Sequence, residues 1–357
     1  MDSLTQIVLG AAVGELIAGR KIGNQAMLWG AVAGTIPDLD VLANPFLDIV
    51  QELRWHRSFM HSILFAFMAA PLLGWLFNVL GTKYKLKFLS EMSFWRWTHL
   101  FFWGMITHSW LDIFTTWGTK IFYPFSEHGY ALKTVFVVDF FYTIPFLVLL
   151  LWARFLPVFK KNSYSKSYNT KRAFLVWFGV GMSSFYLLMG VINQQRVNPI
   201  FEENLKAQNV DYLRYDTKTT PLNILLWNNI VETEKGYYSG YYSVLDDKTE
   251  IKYHYFDKNW QLLDPIKDKK KVQQLIEVTQ GYYIVEKKQG KNNTTIYQIN
   301  DLRFGQLDGW QNGNGDFVFT YLITEDKNGN LSFEQKRNKF DEGFELVGQL
   351  FGRALGK

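Results

Sequence analysis

The sequence predicts a polytopic α-helical membrane domain of about six apolar segments, followed by a β-rich extramembrane domain. Three observations lead there. Phe59 to Leu80 and Ala173 to Ile192 are uncharged runs of 22 and 20 residues, each long enough to cross a hydrocarbon core of about 30 Å at about 1.5 Å per residue. Up to Ile192 there are 16 Lys/Arg against 10 Asp/Glu, whereas Asn193 to Lys357 holds 22 against 23. Beyond Ile192 the hydrophobic period also changes, so the mean hydropathy of -0.09 averages two unlike halves.

Leu4 to Gly19 and Gln25 to Ile36 are shorter and rich in small residues, including Gly10, Ala11, Ala12, Gly14, Gly30, Ala31, Ala33 and Gly34. They suit close helix packing, either as short spans or as a re-entrant pair. Trp95 to Phe114 and Thr134 to Phe159 are apolar but carry His99, His108, Asp112 and Asp139, and ionisable groups inside a span need a functional reason. Alternate connections collect 12 of the 16 basic residues, namely Arg20, Lys21, Lys83, Lys85, Lys87, Arg96, Arg154, Lys160, Lys161, Lys166, Lys171 and Arg172. By the positive-inside rule these mark the cytoplasmic face and place both termini outside.

After Ile192, short runs rich in aromatic and β-branched residues read as strands: Ile224 to Trp227, Tyr237 to Leu245, Lys252 to Phe256, Tyr282 to Val285, Thr294 to Ile299, Asp316 to Leu322 and Leu331 to Gln335. One helix is expected near Lys269 to Thr279. The predicted division is therefore a helical transmembrane domain over residues 1–192 and a β-rich extracytoplasmic domain over residues 193–357.

Composition narrows the chemistry. The chain has no cysteine, which removes disulfides, thiolate metal sites and cysteine nucleophiles. The net charge of +5 reports membrane orientation and gives no phosphate-tracking stripe, so no nucleic-acid partner is expected. The bilayer itself is the expected partner, with a lipid or lipid-linked molecule as substrate.

The ionisable residues of the expected outer face form one cluster: Asp38 and Asp40 in Pro37-Asp38-Leu39-Asp40, His56, Arg57 and His61, and His108 with Asp112. His108 and Asp112 are spaced i,i+4 and share a helical face. Asp40, His56, His61, His108 and Asp112 are the candidate ligands, with Asp38 as a ligating or orienting carboxylate. Three imidazoles with carboxylates suit a divalent ion, Zn²⁺ first and Mn²⁺ or Fe²⁺ otherwise, as one or two ions. Such a site activates water and neutralises charge on a phosphoryl or acyl oxygen, and Arg57 could clamp a phosphate. Simpler readings stand beside these. His61 and His108 could be interhelical hydrogen-bond partners, and Asp38 and Asp40 could cap a turn. His99, His128 and His254 are read as structural, and the alternative function is a membrane sensor or scaffold whose β-rich domain binds a ligand.

Over roughly residues 1–127, an ordered series of motifs resembles the YdjM-type family of membrane-bound metal-dependent hydrolases. The series runs from Met1-Asp2-Ser3-Leu4-Thr5-Gln6 through Leu28-Trp29-Gly30-Ala31, Pro37-Asp38-Leu39-Asp40 and the His56-Arg57 to His61-Ser62 block, to His108, Asp112 and Tyr123-Pro124-Phe125-Ser126. The resemblance implies a hydrolase of the bacterial or archaeal cytoplasmic membrane, with Asp38, Asp40, His56, His61, His108 and Asp112 as ligands. The pattern is also similar, by analogy, to zinc-dependent phospholipases C. Gln6 stands where many members have histidine, Ser58 where glycine is common, and Met60 where a small hydroxyl residue is common.

Overall fold

A computed structural model describes the chain except residues 86, 162–165, 291–293, 312–314 and 337–342. The chain divides into two compact units. One comprises Met1–Leu42 and Trp55–Gly190, the other Ala43–Arg54 and Val191–Lys357.

The first unit is helical. Helix α1 (Ser3–Ile22) starts where the Asp2 carboxylate accepts the Thr5 amide at 3.1 Å, and ends at Gly23, whose φ of +58° allows an immediate reversal into α2 (Asn24–Thr35). The pair is antiparallel and its backbones touch. Gly10 lies against Gly30 and Gly34, and Gly14 against Ala26 and Gly30. A Cβ on Gly10 would come within 2.5 Å of the Gly30 carbonyl oxygen. A 3₁₀ segment (Pro37–Phe46) and α3 (Ile49–Trp55) follow, then α4 (Ile63–Tyr84), α5 (Lys87–Ser90) and α6 (Phe94–Ile113). Gly104 brings α6 onto α2 in the same way, since a Cβ there would meet the Ala33 Cβ at 2.5 Å. Ala18, Ala26, Ala33, Ala66, Ala70, Trp97, Phe101 and Met105 fill the core between these helices.

Helix α7 (Phe140–Phe155) begins at Asp139, whose carboxylate accepts the Phe141 and Tyr142 amides, and a small hairpin, β1 (Phe159–Lys161) and β2 (Lys166–Tyr168), leads into α8 (Thr170–Ala207). Arg172 of α8 is fully buried. It donates to both Glu15 oxygens at 2.5 and 2.6 Å, to Asn24 Oδ1 at 2.7 Å and to the Ala153 carbonyl at 3.0 Å. This bidentate pair ties four helices together.

The expectation of about six spans is corrected. Among the described residues, two helices, Ile63–Tyr84 and Thr170–Ala207, are long and apolar enough to cross a membrane, or three if the bent pair Asn24–Thr35 and Pro37–Phe46 is one span. Glu15, Arg20 and Lys21 make α1 too polar, α7 is only 16 residues long, and α6 carries Arg96, two histidines and Asp112.

In the second unit, strands β3 (Arg214–Thr219), β4 (Leu226–Glu232), β5 (Gly236–Ser243) and β6 (Tyr253–Asp257) form one antiparallel meander. After α9 (Lys270–Val278), strands β7 (Tyr283–Gln289), β8 (Thr295–Gln306), β9 (Phe317–Glu325) and β10 (Leu331–Lys336) form another. Helix α10 (Gly343–Ala354) closes the chain. Ile230 and Tyr237 from the first sheet pack with Tyr282, Ile284, Leu302 and Phe317 around the second. Val197 and Phe201 of α8 lie against Trp227, Tyr242 and Ile251, which is why the helix continues well past Ile192. Burial pushes the Glu232 carboxyl up, but Lys258 at 2.7 Å and Arg214 at 2.5 Å outweigh it and hold the group below the usual carboxylate range.

The close approach of α6 to α2 gives a first prediction. Gly104→Val should destabilise the helical unit by about 1–3 kcal/mol through overpacking against Ala33. Thermal unfolding in detergent measures it, and an unchanged midpoint would count against the packing described.

Candidate metal centre

Four chain segments deliver the site. The 3₁₀ segment after Pro37 carries Asp38 and Asp40. His56 and Arg57 follow α3, and Arg57 takes a left-handed φ of 58° that is costly for a side chain with a Cβ. It is held there from both sides, because its amide donates to Asp40 Oδ2 and its carbonyl accepts from the Lys120 amide, each at 3.0 Å. His61 ends a single 3₁₀ turn before α4, whose first turn is capped by Ser62 accepting the Phe65 amide at 3.0 Å. His108 and Asp112 lie one turn apart on α6 and are both buried.

Asp38, His61, His108 and Asp112 each direct one ligand atom into a common space, all within 4.8 Å of one another. His61 Nε2 and His108 Nε2 are 3.2 Å apart. Each stands 3.4 Å from Asp38 Oδ1, and they are 3.5 and 3.6 Å from Asp112 Oδ2. Four donors placed about 2.0–2.2 Å from one centre at tetrahedral angles are about 3.3–3.6 Å apart, and the separations of the two imidazole nitrogens from each other and from both carboxylates are close to that spacing.

Tautomers sharpen the point. His108 Nδ1 donates to the Gly34 carbonyl at 2.6 Å, and a carbonyl can only accept, so the ring's neutral form presents a lone pair at Nε2. That lone pair faces His61 Nε2 at 3.2 Å. His61 Nδ1 in turn faces Asp40 Oδ2 at 3.4 Å. Two imidazoles aimed nitrogen to nitrogen among two carboxylates call for a positive charge between them. Asp112 Oδ2 and Gln6 Oε1 are also buried with no hydrogen-bond partner. The donor set fits a divalent metal ion.

The remaining predicted residues surround this group. Asp40 is buried and central: besides the Arg57 amide it accepts from His56 Nδ1 at 3.2 Å. His56 is 31% exposed, and its ring lies 5.8 Å from that of His61. Arg57 is buried, with Nη1 donating to Thr115 Oγ1 at 2.7 Å and Nε 3.2 Å from Asp112 Oδ2. Its guanidinium is thus engaged within the protein. His99, His128 and His254 lie outside the four-residue group.

Several contacts were not anticipated. Gln6 Nε2 donates to Asp112 Oδ1 at 2.9 Å and to the His108 carbonyl at 3.3 Å. The Met1 amine donates to the same Asp112 oxygen. The departure at Gln6 was the only signal in the sequence for the first of these, and a backbone acceptor such as Gly34 leaves none.

Removing Arg57, one of two cationic groups beside buried Asp112 together with the Met1 amine, should be costly. Arg57→Met is expected to destabilise the helical unit by about 3–5 kcal/mol, as for other buried pairs broken on one side. Adding Asp112→Asn should cost much less in that background than alone, which a double-mutant cycle of unfolding midpoints reads directly.

Over 157 residues the chain is 29% identical to the uncharacterized protein YfhP of Bacillus subtilis (strain 168), covering 41% of this chain and 44% of that protein. The match thus spans less than half of that curated relative's length. No solved structure matches. The YdjM inner membrane protein family matches residues 1–197, a stretch that covers more than half of the chain and includes every residue of the cluster. The chain belongs to the YdjM inner membrane protein family.

Proposed function

We propose that this protein is a membrane-embedded metal-dependent hydrolase that cleaves a phosphoester in a lipid or lipid-linked substrate. The observation that carries the reading is the convergence of Asp38, His61, His108 and Asp112 on one point. These four would hold one ion, Zn²⁺ in preference to Mn²⁺ or Fe²⁺, and a second ion would have to draw on Asp40 and His56. A divalent ion bound there supplies Lewis acidity, acidifying water and offsetting negative charge on phosphoryl oxygens.

The protein's own groups do the rest. Asp40 orients His56 and faces His61, the outer-shell role that carboxylates play for metal-binding imidazoles. His56, with Nδ1 on Asp40 and its ring partly open to solvent, can take up or release a proton at Nε2. Arg57 steadies Asp112 and adds a positive charge beside an anionic substrate. Asp38 is the partly exposed member of the four, at 25%, and therefore borders the open side. Leu39, Val41 and Leu42 on the same segment are exposed, an apolar surface suited to substrate arriving from the bilayer. In this reading the protein lies in the cytoplasmic membrane of a bacterium or archaeon, with the β-rich domain outside.

The test uses full-length protein in detergent, with elemental analysis for Zn, Mn and Fe and hydrolysis assays on phospholipids and phosphodiester reporters. About one ion per chain and turnover are expected, both lost in His108→Ala and Asp38→Asn. Asp40→Asn should weaken metal binding about 10–100-fold without abolishing it. Metal at background in the wild type would remove the proposal. Bound metal without turnover on any substrate would favour a structural ion in a non-catalytic membrane scaffold.

A further inference from the structure

We propose that the C-terminal unit carries a ligand site of its own, a cavity at the β4–β5 end of its first sheet that takes a neutral saccharide. The proposal stands apart from the metal centre. It uses only residues between Gln208 and Tyr255, all of which lie in the stretch Val191–Lys357.

Three pieces of local structure build the cavity. Helix α8 stops at Ala207, where Asn209 adopts a left-handed φ of 53° and the Asn209 and Val210 amides close onto the Lys206 and Leu205 carbonyls at 3.1 and 2.9 Å. The Leu213 amide then donates to the Glu232 carbonyl at 2.8 Å, which holds Asp211 and Tyr212 beside the turn between β4 and β5. That turn is closed by the Thr233 amide on the Gly236 carbonyl at 2.9 Å, and the Lys258 amide donates to the Lys235 carbonyl at 3.1 Å. The sheet itself supplies Tyr238 and Tyr255, cross-strand partners whose ring centroids are 5.0 Å apart with the planes tilted by 57°. Gly236 makes room for the second ring, since a Cβ there would meet Tyr255 Cζ at 2.5 Å.

The result is a cavity of about 540 Å³, open to solvent and of the size of small-molecule sites, which run from about 300 to 1,000 Å³. Tyr212 and Tyr255 are 37% and 44% exposed, so two broad aromatic faces stand bare at its wall. Among the described residues, the side chains of Asn209, Asp211, Glu234 and Lys235 enter no hydrogen bond or ion pair within the protein. Their donors and acceptors are left to solvent or to a ligand.

Charge and chemistry choose the ligand class. Asp211, Glu234 and the carbonyl end of α8 disfavour an anion. A compact cation would meet Lys235 and leave the Asn209 amide without a role. A sugar ring engages every one of these groups. Its apolar C–H face lies on a tyrosine ring. Its hydroxyls donate to the carboxylates of Asp211 and Glu234, accept from Lys235, and do both with Asn209.

Saturation-transfer NMR on the full-length protein tests this, in a polyoxyethylene detergent because glucoside and maltoside head groups are themselves sugars. The probes are cellobiose, maltose and N,N′-diacetylchitobiose. At least one should receive saturation, with binding weakened about tenfold in Tyr255→Ala and in Asp211→Ala, which remove a stacking face and a charged acceptor. Tyr255→Phe keeps the ring and should stay within about twofold of wild type. Asp211 is exposed, so its variant keeps the test sound if Tyr255→Ala does not fold. A monoglucosyl diacylglycerol carried in the micelles separates two sources of the same chemistry. Signal from the free disaccharides assigns a soluble saccharide, and signal from the lipid alone, with the same sensitivity to Tyr255 and Asp211, assigns a lipid-borne one. No signal from any of these sugars, signal unchanged in both alanine variants, or tighter binding of choline or glucose 6-phosphate than of the neutral sugars would overturn the proposal.

Discussion

The structure of the site depends on one hydrogen bond, from His108 Nδ1 to the Gly34 carbonyl. It fixes the tautomer that turns the His108 lone pair toward His61, Asp38 and Asp112. It exists because α6 can lie against α2, and α2 against α1, at backbone contact. Glycines at 10, 14, 30, 34 and 104 make both approaches possible. Small residues that in many membrane proteins serve only association here also place a backbone acceptor at the base of a donor cluster. Packing and site chemistry are the same constraint seen at two scales.

A second theme is the handling of buried charge. Glu15 with Arg172, and Asp112 with Arg57, are each buried ion pairs on the helical unit. The first satisfies its donors among Glu15, Asn24 and Ala153 and ties helices together. The second leaves Asp112 Oδ2 without a hydrogen-bond partner, with Asp38, His61 and His108 around it. That contrast separates a structural pair from a group whose coordination is unfinished within the protein.

Much of the architecture was legible in the sequence. The two uncharged runs became the two helices able to span, and the short aromatic runs after Ile224 became strands β4 to β10. Strand β3 escaped notice because Thr217, Lys218 and Thr219 are polar yet buried, the reverse of the pattern that marks a strand. The number of spans was overread because apolar stretches were taken at their sequence length, whereas α7 is only 16 residues long and α1 and α6 carry charged residues among their apolar ones. In the site, the i,i+4 spacing of His108 and Asp112 survives directly as geometry. The division of labour between Asp38, which reaches the common point, and Asp40, which braces His56 and Arg57, was not legible. Both are carboxylates two residues apart, and only the 3₁₀ path of the backbone separates their directions. The membership of Ala43–Arg54 in the C-terminal unit was equally hidden, since nothing local distinguishes that segment from an ordinary loop.

The central claim is that two imidazoles and two carboxylates share one cation. X-ray absorption at the zinc edge of the purified, zinc-loaded protein addresses it most directly. The account predicts a shell of only nitrogen and oxygen at about 2.0–2.2 Å, with outer scattering from two histidine rings. A shell without imidazole scattering, or with scattering from a single ring, would contradict it.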